Sequence, residues 1–287
     1  MTGRKQFLIA FFLNLSFAIL EAYLGMVFCS SAILADSLHD FGDALALGLS
    51  TLLESYSEKP ANNRFTLGYK RLSLLASLIT ALLLIGGSFF MIIEAIPKLF
   101  HPQPINQKGM FFLGLLAIFA NFVASQIIKK EKSLTSSLLS LHFLEDILGW
   151  LGVIVIAIVV HFTQWYFLDP LLSLCISIFI LFKTLPKAWS ILCIFLQASP
   201  SDIDFGRLKE HLQQLPQVET VYQLHIWTLD GSHHQASIHV QAAQHYSTSA
   251  CKQAIRSLLE QYGLFAVTIE LDGDDTEHKL HDRNSRK

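Results

Sequence analysis

The chain has 287 residues, 52% hydrophobic and only 15% charged, with a net charge of −2. Soluble domains carry about 25% charged residues; so apolar a chain is not disordered or collagen-like, and its charge balance offers no basic stripe for nucleic acid. Cys29, Cys175, Cys193 and Cys251 stand far apart without a C-x-x-C, which signals neither a thiolate metal site nor a disulfide framework.

Charge is unevenly spread. Residues 1–199 hold 13 Lys+Arg and 11 Asp+Glu between long apolar runs, while the shorter 200–287 segment holds 8 and 12. The division predicts a membrane domain, 1–199, followed by a soluble domain with a polar tail, 200–287. A spanning helix needs roughly 20 apolar residues, and six such runs occur, at about 7–28, 33–55, 70–96, 109–128, 138–161 and 167–186. The first follows Arg4 and Lys5. It is too long for a signal-peptide core, lacks a small-residue cleavage site and leads directly into the second. Nine cationic residues fall at the N-terminus and in the loops at 55–71 and 129–132, against two, Lys98 and Lys108, in the alternate loops. Positive residues stay inside, so both termini are expected in the cytoplasm.

Beyond Leu185-Pro186 the pattern changes. A helix is predicted over 202–214, capped by Ser201 or Asp202. Strands follow at 218–228 and 234–241, joined at Asp230-Gly231, then a helix at 246–262 ended by Gly263, and a strand at 265–271. That αββαβ order suits a small α+β domain with its helices on one sheet face. The last dozen residues are polar and read as disordered.

Ionisable groups in the bilayer core cost about 2.5–3.5 kcal/mol each, yet two spans carry several. In the second, Asp36, His39, Asp40 and Asp43 share one arc about 100° wide; in the fifth, His142, Glu145 and Asp146 do the same. Both contain H-x-x-x-D, His39 with Asp43 and His142 with Asp146. An i,i+4 pair stands about 6 Å apart along one face, so imidazole and carboxylate can converge on one ion. Two such helices facing each other supply two nitrogens and two oxygens, a tetrahedral set that suits Zn²⁺. Asp36 lies near the outer end of its span and reads as solvated, Asp40 and Glu145 as an exit path or partners of the imidazoles, and Glu21 as a helix–helix contact.

On these residues the sequence resembles the cation diffusion facilitator family of zinc and divalent-cation transporters. The matching segments are A-D-S-L-H-D-F-G-D at 35–43, F-T-L-G-Y-K-R-L at 65–72, L-H-F-L-E-D-I-L-G at 141–149, D-P-L-L-S-L at 169–174 and L-H-I-W-T-L at 224–229. The resemblance implies that His39, Asp43, His142 and Asp146 are the transport site. It also implies a cytosolic, ferredoxin-like dimerisation domain, so that the chain works as a homodimer in the inner (plasma) membrane. His at both variable positions resembles the zinc type rather than the carboxylate-richer manganese type. The loop after the second span, N-N-R-F-T-L-G-Y, lacks the His and Asp of a further site seen in some members, and the short 129–137 segment resembles prokaryotic members. In the tail, His239, Glu270 and Asp272, with His225 nearby, resemble a cytosolic zinc site of regulatory type. The bland alternative is that these are ordinary surface residues, as His233 and His234 at the hairpin are read to be.

Metal ligands must be deprotonated, so zinc binding expels protons, and His titrates near 6.5. Zn²⁺ and H⁺ therefore exchange if the site faces the two sides alternately, and the resemblance implies export from the cytosol. An intramembrane metalloenzyme is the first rival, but H-E-x-x-H is absent and no span sets a nucleophile beside a base. A membrane-anchored metal sensor or scaffold is the second; it leaves the intramembrane ligands without a purpose.

Overall fold

The computed structural model describes residues 3–57, 59–128 and 134–272. Within them side chains are described from residue 11 onward, apart from 50, 51, 54, 55 and 123–145. Six long helices come first: α1 Gly3–Phe28, α2 Ser31–Ser57, α3 Arg71–Phe100, α4 Gln107–Ile128, α5 Leu134–Thr163 and α6 Leu168–Phe195. Each corresponds to one predicted span. By length and composition α1, α3, α5 and α6 suffice to cross a membrane. Among the described residues, the acidic α2, an unbroken helix of 27 residues, does not meet that measure, and α4 offers a shorter apolar stretch, Gln107–Phe122. In α6 the helix does not end at Leu185-Pro186 but continues through Pro186 to Phe195. The residues after the proline, KAWSILCIF, stay largely apolar and keep the helical pattern, and the proline is accommodated within the helix.

Two units are distinguished, Met1–Tyr56 with Leu75–Ala188, and Ser57–Leu74 with Trp189–Lys287. In the first, one apolar cluster joins Ala32 and Ile33 of α2, Met110, Leu113 and Ala117 of α4, and Trp150, Val153, Ala157 and Val160 of α5. Glycines bring α2 close to α3: a Cβ on Gly42 would stand 2.4 Å from Leu84 Cδ2, and one on Gly87 2.3 Å from Leu38 Cδ2. This packing commits one face of α2 to its neighbours and leaves its acidic arc as the other.

The second unit contains α7 Phe205–Gln213, β1 Val218–Thr228, β2 His234–Ala242, α8 Thr248–Gln261 and β3 Leu264–Asp272. Its order is the predicted αββαβ. The cap of α7 is Asp204, which accepts the Arg207 N–H at 3.1 Å, rather than Ser201 or Asp202. Residues 200–203 are instead occupied by a turn, Ile203 N–H to Pro200 O at 3.2 Å. The sheet order is β1-β2-β3, with β2 antiparallel to β1 and parallel to β3. The antiparallel pair needs only a hairpin, whereas the parallel pair needs a crossover, which α8 supplies. Gly231 takes φ +92 in the hairpin. Asp230 Oδ1 accepts the N–H groups of Ser232 at 2.9 Å and His233 at 2.8 Å. Burial works to raise the Asp230 carboxyl, but these bonds and the His233 ring outweigh it and hold it below its ordinary value.

Leu208 and Leu212 of α7, and Cys251, Ile255 and Leu259 of α8, pack on Leu224, Ile226, Ala236, Ile238 and Val240 of the sheet. Strand alternation therefore turns His225, Ser237, His239, Gln241, Glu270 and Asp272 to the face that the helices leave uncovered. Because Leu259 is fully buried, Leu259→Ala is expected to destabilise this unit by about 2–5 kcal/mol. The check is hydrogen exchange of β1–β3, where the variant should lose protection while the α1–α6 amides do not.

Candidate metal sites

Three of the four residues read as transport ligands are described. On α2, His39 Nε2 lies 3.5 Å from Asp43 Oδ2, each side chain 26% exposed. The i,i+4 spacing thus stacks imidazole and carboxylate on one face, as the motif requires. Asp146 is half-buried on α5 and lies close enough to Asp36 and Asp40 of α2 for the like charges to repel. Asp36 itself is 6% exposed, not solvated as expected. Its Oδ1 is 3.6 Å from where a Cβ would stand on Gly149 of α5. The correction has a packing cause: the first turns of α2 are covered by α4 and α5 rather than by water. The side chains of His142 and Glu145 lie outside the described residues. Among the described ones, no three His, Cys, Asp or Glu side chains form a metal-holding group.

Glu21 of α1 is fully buried, its carboxyl against Asp40 and near Asp36 and Asp146. It serves as the helix–helix contact expected of it, with the Asp40 carboxyl of α2 as its partner. The carboxyls of Glu21, Asp36, Asp40 and Asp146 are thus gathered at one face of α2.

In the second unit His239 Nε2 lies 2.8 Å from Asp272 Oδ2, with the side chains 7% and 4% exposed. Glu270 is exposed and stands opposite His239 in the β2–β3 register. His225 is paired opposite Ser237, a diagonal step from His239 on the neighbouring strand. It lines an open cavity of about 510 Å³ with Trp227, Ser237 and Phe205. The structure therefore brings His239 and Asp272 together, pairs Glu270 with His239 in the strand register and places His225 on the neighbouring strand. His233 is exposed as read, but His234 is not: its side chain is 9% exposed and its Nε2 is 3.2 Å from Asp202 Oδ2.

One group of residues escaped the sequence reading. Asp169, Ser30, Ser31, Lys98 and Glu94 form a polar cluster where α2 begins. The only sequence signal was the Asp-Pro at the start of α6, read as part of a motif without a role.

Six long helices, four of them apolar enough to cross a membrane, with buried acids gathered along α2 and joined to a small α+β domain, define a multi-pass membrane protein. Residues 7–196 match the cation efflux transmembrane domain, and residues 200–274 match the cation efflux protein cytoplasmic domain. The chain belongs to the cation diffusion facilitator family, whose members are transporters of metal cations and not enzymes. It is 30% identical to the zinc transporter ZitB of Pectobacterium atrosepticum, over 98% of this chain and 90% of that one. It is 27% identical to the cadmium, cobalt and zinc/H(+)-K(+) antiporter of Bacillus subtilis, over 96% and 91%. The metal cation efflux system protein CzcD of Cupriavidus metallidurans is 28% identical, over 94% and 87%.

Proposed function

We propose that this protein exports Zn²⁺ from the cytosol in exchange for H⁺, through a site built from His39, Asp43, His142 and Asp146. The observation that carries the reading is the His39–Asp43 pair on α2, on a helix whose acidic arc meets Asp146 of α5. The names of the relatives, a zinc transporter and a zinc/H(+)-K(+) antiporter, support the same cargo and coupling. The chemistry follows from the ligands. A zinc ion takes neutral imidazole nitrogens and ionised carboxylate oxygens, so loading the site releases protons, and protons arriving from the other side displace the metal. Complete helices carry the site, so access alternates by rocking one helix group against another.

The orientation that serves export puts both termini in the cytoplasm of a cell bounded by its inner membrane. We propose pairing into a homodimer through the cytoplasmic domain, a symmetric use of its uncovered sheet face. His239 and Asp272, with Glu270 beside them and His225 nearby, are the candidate regulatory metal site on that face.

The test is reconstitution into vesicles carrying a zinc dye on one side and a pH dye on both. Zinc flux is expected to drive opposite proton flux and to follow an imposed pH gradient. Zinc binding without any flux would replace this reading with that of a membrane-anchored sensor.

A further inference from the structure

The first turn of a helix leaves four backbone N–H groups without partners inside the helix. At the start of α2, Ser30 Oγ takes the Ile33 N–H at 3.2 Å in the ordinary capping manner. The next two are met by a residue from another helix. Asp169, on α6 and 1% exposed, accepts the Ser31 N–H at 2.7 Å and the Ala32 N–H at 3.4 Å, and also the Ser30 hydroxyl at 2.5 Å. A buried carboxylate here is matched to the positive end of the helix dipole. On the same turn Lys98 of α3 donates to Ser31 Oγ at 2.9 Å and pairs with Glu94. Three helices thus meet at the first residues of the helix that carries His39 and Asp43.

We propose that Asp169 is a positioning residue for transport: from α6 it fixes the height and rotation of α2, and so aims His39 and Asp43 at α5. The lever is rigid. His39 lies eight residues and about 12 Å along an unbroken helix from Ser31, so an end that is free to turn swings both ligands away from Asp146. Lys98 steadies the same end from α3. The inference rests on His39 and Asp43 being transport ligands.

The test uses the full-length protein in vesicles, with Zn²⁺ and Cd²⁺ as separate cargoes. Asp169→Asn keeps the shape but loses the charge. It is expected to raise KM for zinc about tenfold, the size of one charge-assisted hydrogen bond, with kcat within about twofold. The preference for zinc over cadmium should narrow, because a loosened site tolerates a larger ion. Asp169→Glu should recover part of the loss, and Ser30→Ala, which removes one donor, should raise KM about threefold. A fall in kcat for both ions in proportion, with KM and the ion preference intact, would reduce Asp169 to a folding role and overturn the proposal; so would wild-type kinetics. If Asp169→Asn does not insert, Ser30→Ala decides, and an unchanged KM there overturns it. Asp43→Ala run alongside separates the two levels: an active Asp43→Ala refutes the site, whereas an inactive one beside a wild-type-like Asp169→Asn refutes only the positioning role.

Discussion

Asp43→Ala and Asp146→Ala should each lower zinc flux by at least about a hundredfold, since losing even a group behind a metal ligand costs about 10- to 100-fold. Both variants should still reach the membrane in normal amount. A carboxylate held within a bilayer costs about 2.5–3.5 kcal/mol, so its removal relieves the fold rather than breaking it. The packing around it is independent of charge: α2 is held by Gly42 against Leu84 and Gly87 against Leu38, and α5 by Trp150, Val153 and Ala157. Flux per inserted molecule is therefore the quantity to measure. Asp36→Asn is the informative neighbour, because it lies against Gly149 on the same acidic face without belonging to the proposed ligand set. It should lower flux less than either ligand variant. Wild-type flux in Asp43→Ala or Asp146→Ala would refute the site.

What was legible in the sequence was what depends on near neighbours. Apolar runs announced all six long helices, and i,i+4 spacing set His39 beside Asp43. The family resemblance pointed to His239, Glu270 and Asp272, and the strand register sets His239 opposite Glu270, with Asp272 two residues further along β3. What was missed depends on partners distant in the chain. Asp169 is a cap for backbone 138 residues earlier, and no local pattern encodes that. His234 read as an exposed hairpin residue because its partner Asp202 lies 32 positions away. Asp36 read as solvated from its nearness to a helix end, but depth at that end is set by α4 and α5 packing over it. Pro186 misled because the apolar run continues beyond it, and the chain stays helical through Phe195.

Saturating zinc should raise the stability of the cytoplasmic unit by about 2.7 kcal/mol when the free metal stands at a hundred times its dissociation constant. His239→Ala should remove that shift. The argument starts from the His239–Asp272 pair, 2.8 Å apart and almost wholly buried on the sheet face that α7 and α8 leave uncovered. Imidazole nitrogen and carboxylate oxygen are both donors that zinc takes in deprotonated form, and the β2–β3 register sets Glu270 opposite His239. His225 lies on β1, paired opposite Ser237 and lining a cavity, so His225→Ala should weaken the shift less than His239→Ala. Leu259→Ala gives the control. It lowers the starting stability through the opposite sheet face and should leave the zinc increment unchanged, because the buried leucine touches the core and not the pair. Melting of the full-length protein with and without zinc, followed at the sheet, reads all three. If the site also regulates, His239→Ala should alter the zinc dependence of flux while Asp43→Ala abolishes flux outright. A sheet whose melting ignores zinc would leave His239 and Asp272 as a structural ion pair.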